Sequence, residues 1–138
     1  MTGVQTCALP ICLTVAKKLA AAGAHVLLVS RTEETLKEVQ AEIQAEGGQA
    51  DIFPCDLNDM DAIDRVSKQI IASVDHIDIL INNAGRSIRR AVHESVDRFH
   101  DFERTMQLNY FGAVRLVDRK STRLNSSHMS ESRMPSSA

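Results

Sequence analysis

The fold is decided by one stretch of the sequence, residues 76–87, which reads HIDILINNAGRS. The run from Ile77 to Ile81 is almost entirely aliphatic and β-branched, which is typical of a strand that is covered on both faces. This run ends at two asparagines, an alanine and Gly85. Because Asn and Gly tolerate the backbone conformations of sharp turns, we expect a ligand site where this strand ends.

Strand and helix patterns alternate on either side of this stretch. The predicted strands lie at 25–29, 50–54 and 77–81, and the predicted helices at 13–22, 33–46, 60–74 and 97–117. Strands that alternate with helices of this length imply right-handed crossovers and a parallel sheet with helices on both faces. The predicted fold class is therefore α/β, with a partial Rossmann-like, doubly wound parallel sheet.

The two ends of the chain depart from this pattern. Residues 1–12 carry no strand pattern and place Pro10 where a helix should begin, and seven of the twenty residues from 119 to 138 are serine. We therefore predict a non-native-looking leader at 1–12, a partial nucleotide-binding domain at 13–117 and a disordered, non-native-looking tail at 118–138. Both ends look like translated sequencing-adapter sequence, so the sheet is expected to lack its first strand and its C-terminal half.

Composition excludes several classes of function. The chain is 43% hydrophobic and 25% charged, and its basic residues are neither numerous nor clustered enough to indicate nucleic-acid binding. No apolar run approaches the roughly 18 to 20 residues that span a bilayer, so we expect a cytoplasmic protein without a membrane span. The three cysteines form no C-x-x-C pair and the five histidines lack ligand spacing, so no metal site is predicted.

The strand end Asn82-Asn83-Ala84-Gly85 resembles the NNAG segment of the short-chain dehydrogenase/reductase superfamily. The resemblance extends over about 13–117. More narrowly, residues 82–90 together with FHDFERTMQLNYFG at 99–112 resemble bacterial long-chain fatty-acyl-CoA reductases of that superfamily. The resemblance implies a homo-oligomeric parent oxidoreductase that reduces a small carbonyl compound or a fatty acyl-CoA with a nicotinamide cofactor.

The strand predicted at 25–29, which matches the second strand of the family's cofactor domain, is followed by a basic residue, Arg31. In this fold an acidic residue at that position binds the ribose of NAD, whereas a basic residue accommodates the 2′-phosphate of NADP. A charge-assisted hydrogen bond there would favour NADPH by about tenfold to a hundredfold. Ser30 and Thr32 would assist through their hydroxyl groups. The alternative is a solvated arginine ahead of a helix.

Two further groups of residues match the cofactor site of the family. Asp56 and Leu57 match the Asp-Val/Leu element that meets the adenine ring, although Asp56 could instead cap the following helix. Asn82, Ala84 and Gly85 would line the cofactor through backbone groups.

The resemblance implies a catalytic role for Asn109, which matches the asparagine of the family's catalytic tetrad. On the long helix this residue falls on the same side as Phe102 and Met106, and that side is predicted to face the sheet. A buried amide would need hydrogen-bond partners, and a purely structural asparagine is the alternative.

The other catalytic features of the family are missing from the sequence. Thr2-Gly3 is interpreted as a chance likeness to the family's glycine-rich loop, because no glycine follows it before Cys12. Tyr110 is the only tyrosine, and Val114 stands where the family's Tyr-x-x-x-Lys pair would need lysine. The chain itself is therefore predicted to be inactive. The alternatives are a non-catalytic dinucleotide-binding module and a chimeric sequence without independent function.

Overall fold

The structure, a computed structural model, describes residues 2–6 and 11–119. Its strands are β1 (Thr2–Thr6), β2 (His25–Ser30), β3 (Gln49–Pro54) and β4 (Ile79–Asn82). Its α-helices are α1 (Ile11–Ala21), α2 (Glu33–Ala45), α3 (Met60–Ser73) and α4 (Phe99–Met106). A π-helical segment, Gln107–Gly112, follows α4, and α-helix resumes over 113–119. None of the helices in these two ranges is long and apolar enough to cross a membrane.

The four strands form one parallel sheet in the order β3-β2-β1-β4. This arrangement confirms the predicted α/β class. The expectation that the first strand is missing is wrong, because Gly3 of β1 is in register with Val26 of β2 and with Ile79 of β4. β1 also separates β4 from β2, so the three predicted strands are not all neighbours. Strand pairing uses main-chain N–H and C=O groups, which a search for side-chain patterns does not detect.

The core consists of two apolar layers, one on each face of the sheet, and β2 contributes to both. Val26 and Leu28 pack with α1 and α2, whereas Leu27 and Val29 pack with α3 and Leu116. All four strand residues are buried, because successive side chains of a strand point to opposite faces. This burial on both faces explains the unbroken apolar pattern of the strand.

The prediction that the side of the last helix with Phe102 and Met106 faces the sheet is wrong. Phe99, Phe102, Met106 and Val117 are 72%, 57%, 48% and 47% exposed, whereas Leu116 is buried. Helical spacing shows which residues share a side but does not show which side meets the sheet. The π-helical segment also shifts the residues that follow it around the helix axis, because a π-helical turn contains more residues than an α-helical turn.

Two contacts hold this helix against the rest of the protein. Gly112 lies so close to the loop after β3 that a Cβ atom there would be 2.5 Å from the carbonyl oxygen of Leu57. Asp64 of α3 accepts paired hydrogen bonds from the guanidinium groups of Arg115 and Arg119, all at 2.7–2.8 Å. Together they fix the helix that carries Asn109.

The ends of the chain depart from their predicted boundaries. Asp118 and Arg119 are helical, so the predicted tail at 118–138 is wrong for its first two residues. The rest of that prediction, at 120–138, lies outside the described residues. In the predicted leader, Thr2–Thr6 forms β1 and α1 begins at Ile11, while residues 1 and 7–10 lie outside the described part.

We predict that Gly112→Ala destabilises the protein. The added methyl group overlaps the Leu57 carbonyl oxygen, and overpacking of this kind costs about 1 to 3 kcal/mol, more than the helix propensity of about 1 kcal/mol gained by replacing glycine. Urea unfolding should show a lower free energy of unfolding. Val114→Ala, at a position 48% exposed on the same helix, should change it by no more than about 0.5 kcal/mol. A Gly112→Ala variant as stable as the parent chain would contradict the close contact.

We also predict an acid-sensitive contribution to stability from Asp64. Hydrogen bonds from Arg115 and Arg119 lower the pKa of its carboxyl group from 3.8 to about 2. Because this pKa is lower in the folded state, the contribution is complete above about pH 4 and is lost as the pH falls towards 2. Asp64→Asn should therefore unfold at a lower temperature near neutral pH, and its deficit relative to the parent chain should shrink over that range. A deficit that is constant from pH 5 to pH 2 would count against the contact.

Candidate functional site

The carboxyl ends of β2, β3 and β4 surround a cleft of about 230 Å³, which we call the strand-end cleft. Its lining consists of Ser30, Arg31, Thr32, Thr35, Cys55, Asp56, Leu57, Ala84, Gly85 and Leu108. All the cofactor-binding residues predicted from the sequence lie in this lining except Asn82, the last residue of β4. The carboxyl ends of parallel strands lie along one edge of a sheet, which brings these distant residues together.

Three residues of the lining were not predicted from the sequence. Thr35 lies in the first turn of α2, Cys55 follows β3 directly, and Leu108 lies in the π-helical segment. Thr35 and Cys55 could have been found by extending each strand end by a few residues. Leu108 comes from a distant helix, so nothing in the local sequence indicated it.

Asp56 supplies a negative charge to the strand-end cleft. Its Oδ1 atom accepts hydrogen bonds from the backbone N–H of Asn58 at 3.0 Å and from the amide group of Asn58 at 2.8 Å. Partial burial raises the pKa of Asp56, but these hydrogen bonds and the charges of Arg31 and Arg86 outweigh it and lower the pKa overall. The group is therefore a carboxylate, able to accept a hydrogen bond from a ligand.

Asp56 does not cap the helix that follows it, because Asp59 occupies that position. Asp59 caps α3, since its Oδ1 atom accepts hydrogen bonds from the backbone N–H groups of Asp61 and Ala62 at 2.9 and 3.1 Å. Thr32 occupies the capping position of α2 without making a side-chain hydrogen bond there. The carboxylate of Asp56 is therefore not committed to the end of a helix.

Arg31 is the cation of the strand-end cleft. Its side chain is exposed, and no ion pair is found for it within the described ranges. Its charge contributes to the lowered pKa of Asp56. An uncommitted guanidinium at a strand end can form paired hydrogen bonds with an anionic ligand.

Cys55 contributes a neutral thiol to the lining. Burial, together with the charges of Asp56 and Asp59, raises the pKa of this thiol to about 11. Since the thiolate is the reactive form, Cys55 is unsuited to act as a nucleophile near neutral pH. Within the described ranges, no group of three or more potential metal ligands is found.

Asn109 joins the π-helical segment to the loop after β4. Its Oδ1 atom accepts a hydrogen bond from the backbone N–H of Arg86 at 2.7 Å, and its amide group donates to the carbonyl oxygen of Arg86 at 2.8 Å. The expectation that this amide has hydrogen-bond partners is therefore confirmed. The predicted burial of this residue is wrong, because its side chain is exposed. π-Helical turns occur frequently at functional sites, and this one presents Asn109 beside Gly85.

The family profile described as short chain dehydrogenase matches residues 4–130. A fatty acyl-CoA reductase of Acinetobacter baylyi is 80% identical over 105 residues, which are 76% of this chain and 36% of that protein. An uncharacterized oxidoreductase of Mycobacterium tuberculosis is 55% identical over 105 residues, or 74% of this chain and 31% of that protein. The chain thus spans about a third of the length of these curated relatives.

The structure also resembles solved structures of the same class. The crystal structure of a metagenomic short-chain oxidoreductase in complex with NADP aligns with a TM-score of 0.83 at 29% identity. The alignment covers 92% of this chain and 57% of that one. The profile match extends over well more than half of the sequence, and the sheet order and strand-end cleft agree with it. The chain therefore belongs to the short-chain dehydrogenase family.

Proposed function

We propose that this chain is the cofactor-binding part of an NADP(H)-dependent short-chain oxidoreductase whose whole protein reduces long-chain acyl-CoA to fatty aldehyde. The observation that carries the proposal is the uncommitted guanidinium of Arg31 beside the carboxylate of Asp56 in one strand-end cleft. The 80% identity to a fatty acyl-CoA reductase supports the substrate class. NADPH, once bound, supplies the hydride for such a reduction.

The strand-end cleft fits the adenosine end of NADPH. At about 230 Å³ it is smaller than the roughly 300 to 1,000 Å³ typical of whole-ligand pockets, so it suits one end of a dinucleotide. Arg31, assisted by Ser30 and Thr32, binds the 2′-phosphate through charge-assisted hydrogen bonds. Asp56 accepts a hydrogen bond from the adenine amino group, and the backbone of Leu57 contacts the ring.

The loop after β4 lies against the rest of the cofactor. Asn82, Ala84 and Gly85 line it through backbone groups. Gly85 lines the strand-end cleft, and a Cβ atom there would make only ordinary contact with Asn109 Oδ1 at 3.5 Å. Asn109 holds this loop in place through Arg86, which makes it a positioning residue in this chain.

This chain does not complete the reaction by itself. A reduced carbonyl needs a proton donor, and the family's Tyr-x-x-x-Lys pair is absent because Tyr110 is followed four residues later by Val114. The sequence from Val4 to Cys12 also contains no glycine of the kind that lets a backbone approach a pyrophosphate closely. We therefore propose that the chain binds the nucleotide end weakly and turns over no substrate.

The whole protein is proposed to be a homo-oligomer. Along α4 and the π-helical segment, Phe99, Tyr110 and Phe111 are each at least half exposed. An apolar surface of this kind marks contact with another part of a protein or with another subunit.

The cofactor proposal predicts selective binding of adenosine 2′,5′-bisphosphate, which carries the adenine and 2′-phosphate of NADPH but no pyrophosphate. In calorimetric titrations it should bind at least about tenfold more tightly than 5′-AMP, the expected effect of a hydrogen bond to a charged group. Arg31→Gln should bring the ratio close to one. Lys68→Gln, which removes an equal charge from an exposed position of α3, should preserve it. A ratio near one in the parent chain would refute NADP preference at Arg31.

The positioning role of Asn109 predicts faster hydrogen exchange at the backbone N–H of Arg86 when the amide is removed. Asn109→Ala deletes both hydrogen bonds, and the loss of about 1.4 kcal/mol corresponds to tenfold faster exchange. Asn109→Asp keeps an acceptor for that N–H and should preserve its protection. If Asn109→Ala exchanges as slowly as the parent chain, Asn109 does not hold the loop.

A further inference from the structure

A second cavity, of about 600 Å³, lies between the loop after β4 and helix α4. We call it the arginine cavity, because its charged lining consists of Arg86, Arg90, Arg98 and Asp101. It is larger than the strand-end cleft, and 600 Å³ lies within the range of typical ligand sites. The cofactor proposal does not use this space.

The lining carries more positive than negative charge. Asp101 is hydrogen-bonded by Arg90 Nη1 at 3.0 Å and by Arg98 Nε at 2.9 Å. The hydrogen bond from Arg98 lowers the pKa of Asp101, so this group is a carboxylate and offsets one of the three positive charges. The side chain of Arg86 has no ion pair within the described ranges. The cavity is therefore suited to an anion, with Arg86 as the uncommitted partner.

The same cavity has an apolar wall. Ile88, Phe102 and Met106 contribute to it and are 37%, 57% and 48% exposed. A site with excess positive charge and exposed apolar side chains matches a ligand that combines an anionic group with a hydrocarbon chain.

The arginine cavity and the strand-end cleft share a wall. Gly85 and Leu108 line the cleft, while the next residue of each segment, Arg86 and Asn109, lines the arginine cavity. The Asn109 side chain and the Arg86 backbone are hydrogen-bonded to each other, so the wall is one residue thick and held together. Ligands in the two cavities would therefore lie on opposite sides of the same pair of residues.

We propose that the arginine cavity binds the acyl-phosphopantetheine arm of an acyl-CoA, with the phosphate against Arg86 and the hydrocarbon portion along Phe102 and Met106. The inference rests on the proposed function, which supplies acyl-CoA as the substrate class. It adds the site within this chain and the residues that recognise each part of the ligand.

The test compares two thioesters that differ in one phosphate group, S-octanoyl-4′-phosphopantetheine and S-octanoyl-pantetheine, by calorimetric titration of the full chain. The phosphorylated ligand should bind about tenfold more tightly. Arg86→Gln should bring this ratio close to one, and Arg104→Gln, at an exposed position of α4 outside the cavity lining, should leave it unchanged. Both affinities are measured on the same protein sample, so partial unfolding of a variant lowers them equally and does not change their ratio.

The apolar wall is tested separately. Phe102→Ser should weaken the binding of both thioesters several-fold without changing the ratio of their affinities. Val114→Ser, at an exposed position of the same helix outside the lining, should weaken the binding of neither thioester. Octanoyl-CoA, titrated with excess adenosine 2′,5′-bisphosphate to occupy the strand-end cleft, should bind at least as tightly as the phosphopantetheine thioester.

Each proposal can fail without the other. A thioester ratio near one in the parent chain, or a ratio that survives Arg86→Gln, overturns the arginine-cavity assignment whatever the strand-end cleft binds. A bisphosphate-to-AMP affinity ratio near one in the parent chain, with the thioester results intact, overturns the cofactor proposal and leaves the arginine cavity as an acyl-thioester site.

Discussion

The main-chain hydrogen bonding of β1 along both of its edges is the constraint on which the rest of the structure depends. It joins β2 on one side to β4 on the other, and all three strands run in the same direction. With β1 between them, Ser30 of β2 and Asn82 of β4 end on the same edge of the sheet. The strand-end cleft is therefore a consequence of backbone pairing at the centre of the sheet.

A second constraint positions the helix that closes the cleft. Gly112 allows the helix to approach the Leu57 carbonyl, and Asp64 ties the following turn to α3 through Arg115 and Arg119. Between α4 and that turn the backbone is π-helical, and in this segment Leu108 lines the strand-end cleft while Asn109 lines the arginine cavity. The geometry of both cavities thus depends on a close contact at one glycine.

The elements that sequence could predict are those whose pattern reflects their surroundings directly. β2 is buried on both faces, so its sequence is an unbroken apolar run. α2 and α3 each bury one side, so their sequences show helical periodicity. Most of the cleft could be predicted because strand ends of a parallel sheet converge. β1 could not be predicted, because its place in the sheet depends on backbone pairing. The outward face of α4 could not be predicted either, because helical periodicity does not identify the side that meets the sheet.

The burial of two thiols has a consequence for chemical probing of the molecule. Cys12 of α1 and Cys55 at the cleft are both buried, and Cys12 Sγ accepts a hydrogen bond from the Asn83 amide at 2.7 Å. Alkylating reagents need an accessible thiolate, so neither sulfur is modified in the closed structure. The kinetics of alkylation at these two cysteines would therefore measure how often α1 lifts away from the sheet and how often the carboxyl end of β3 opens to solvent.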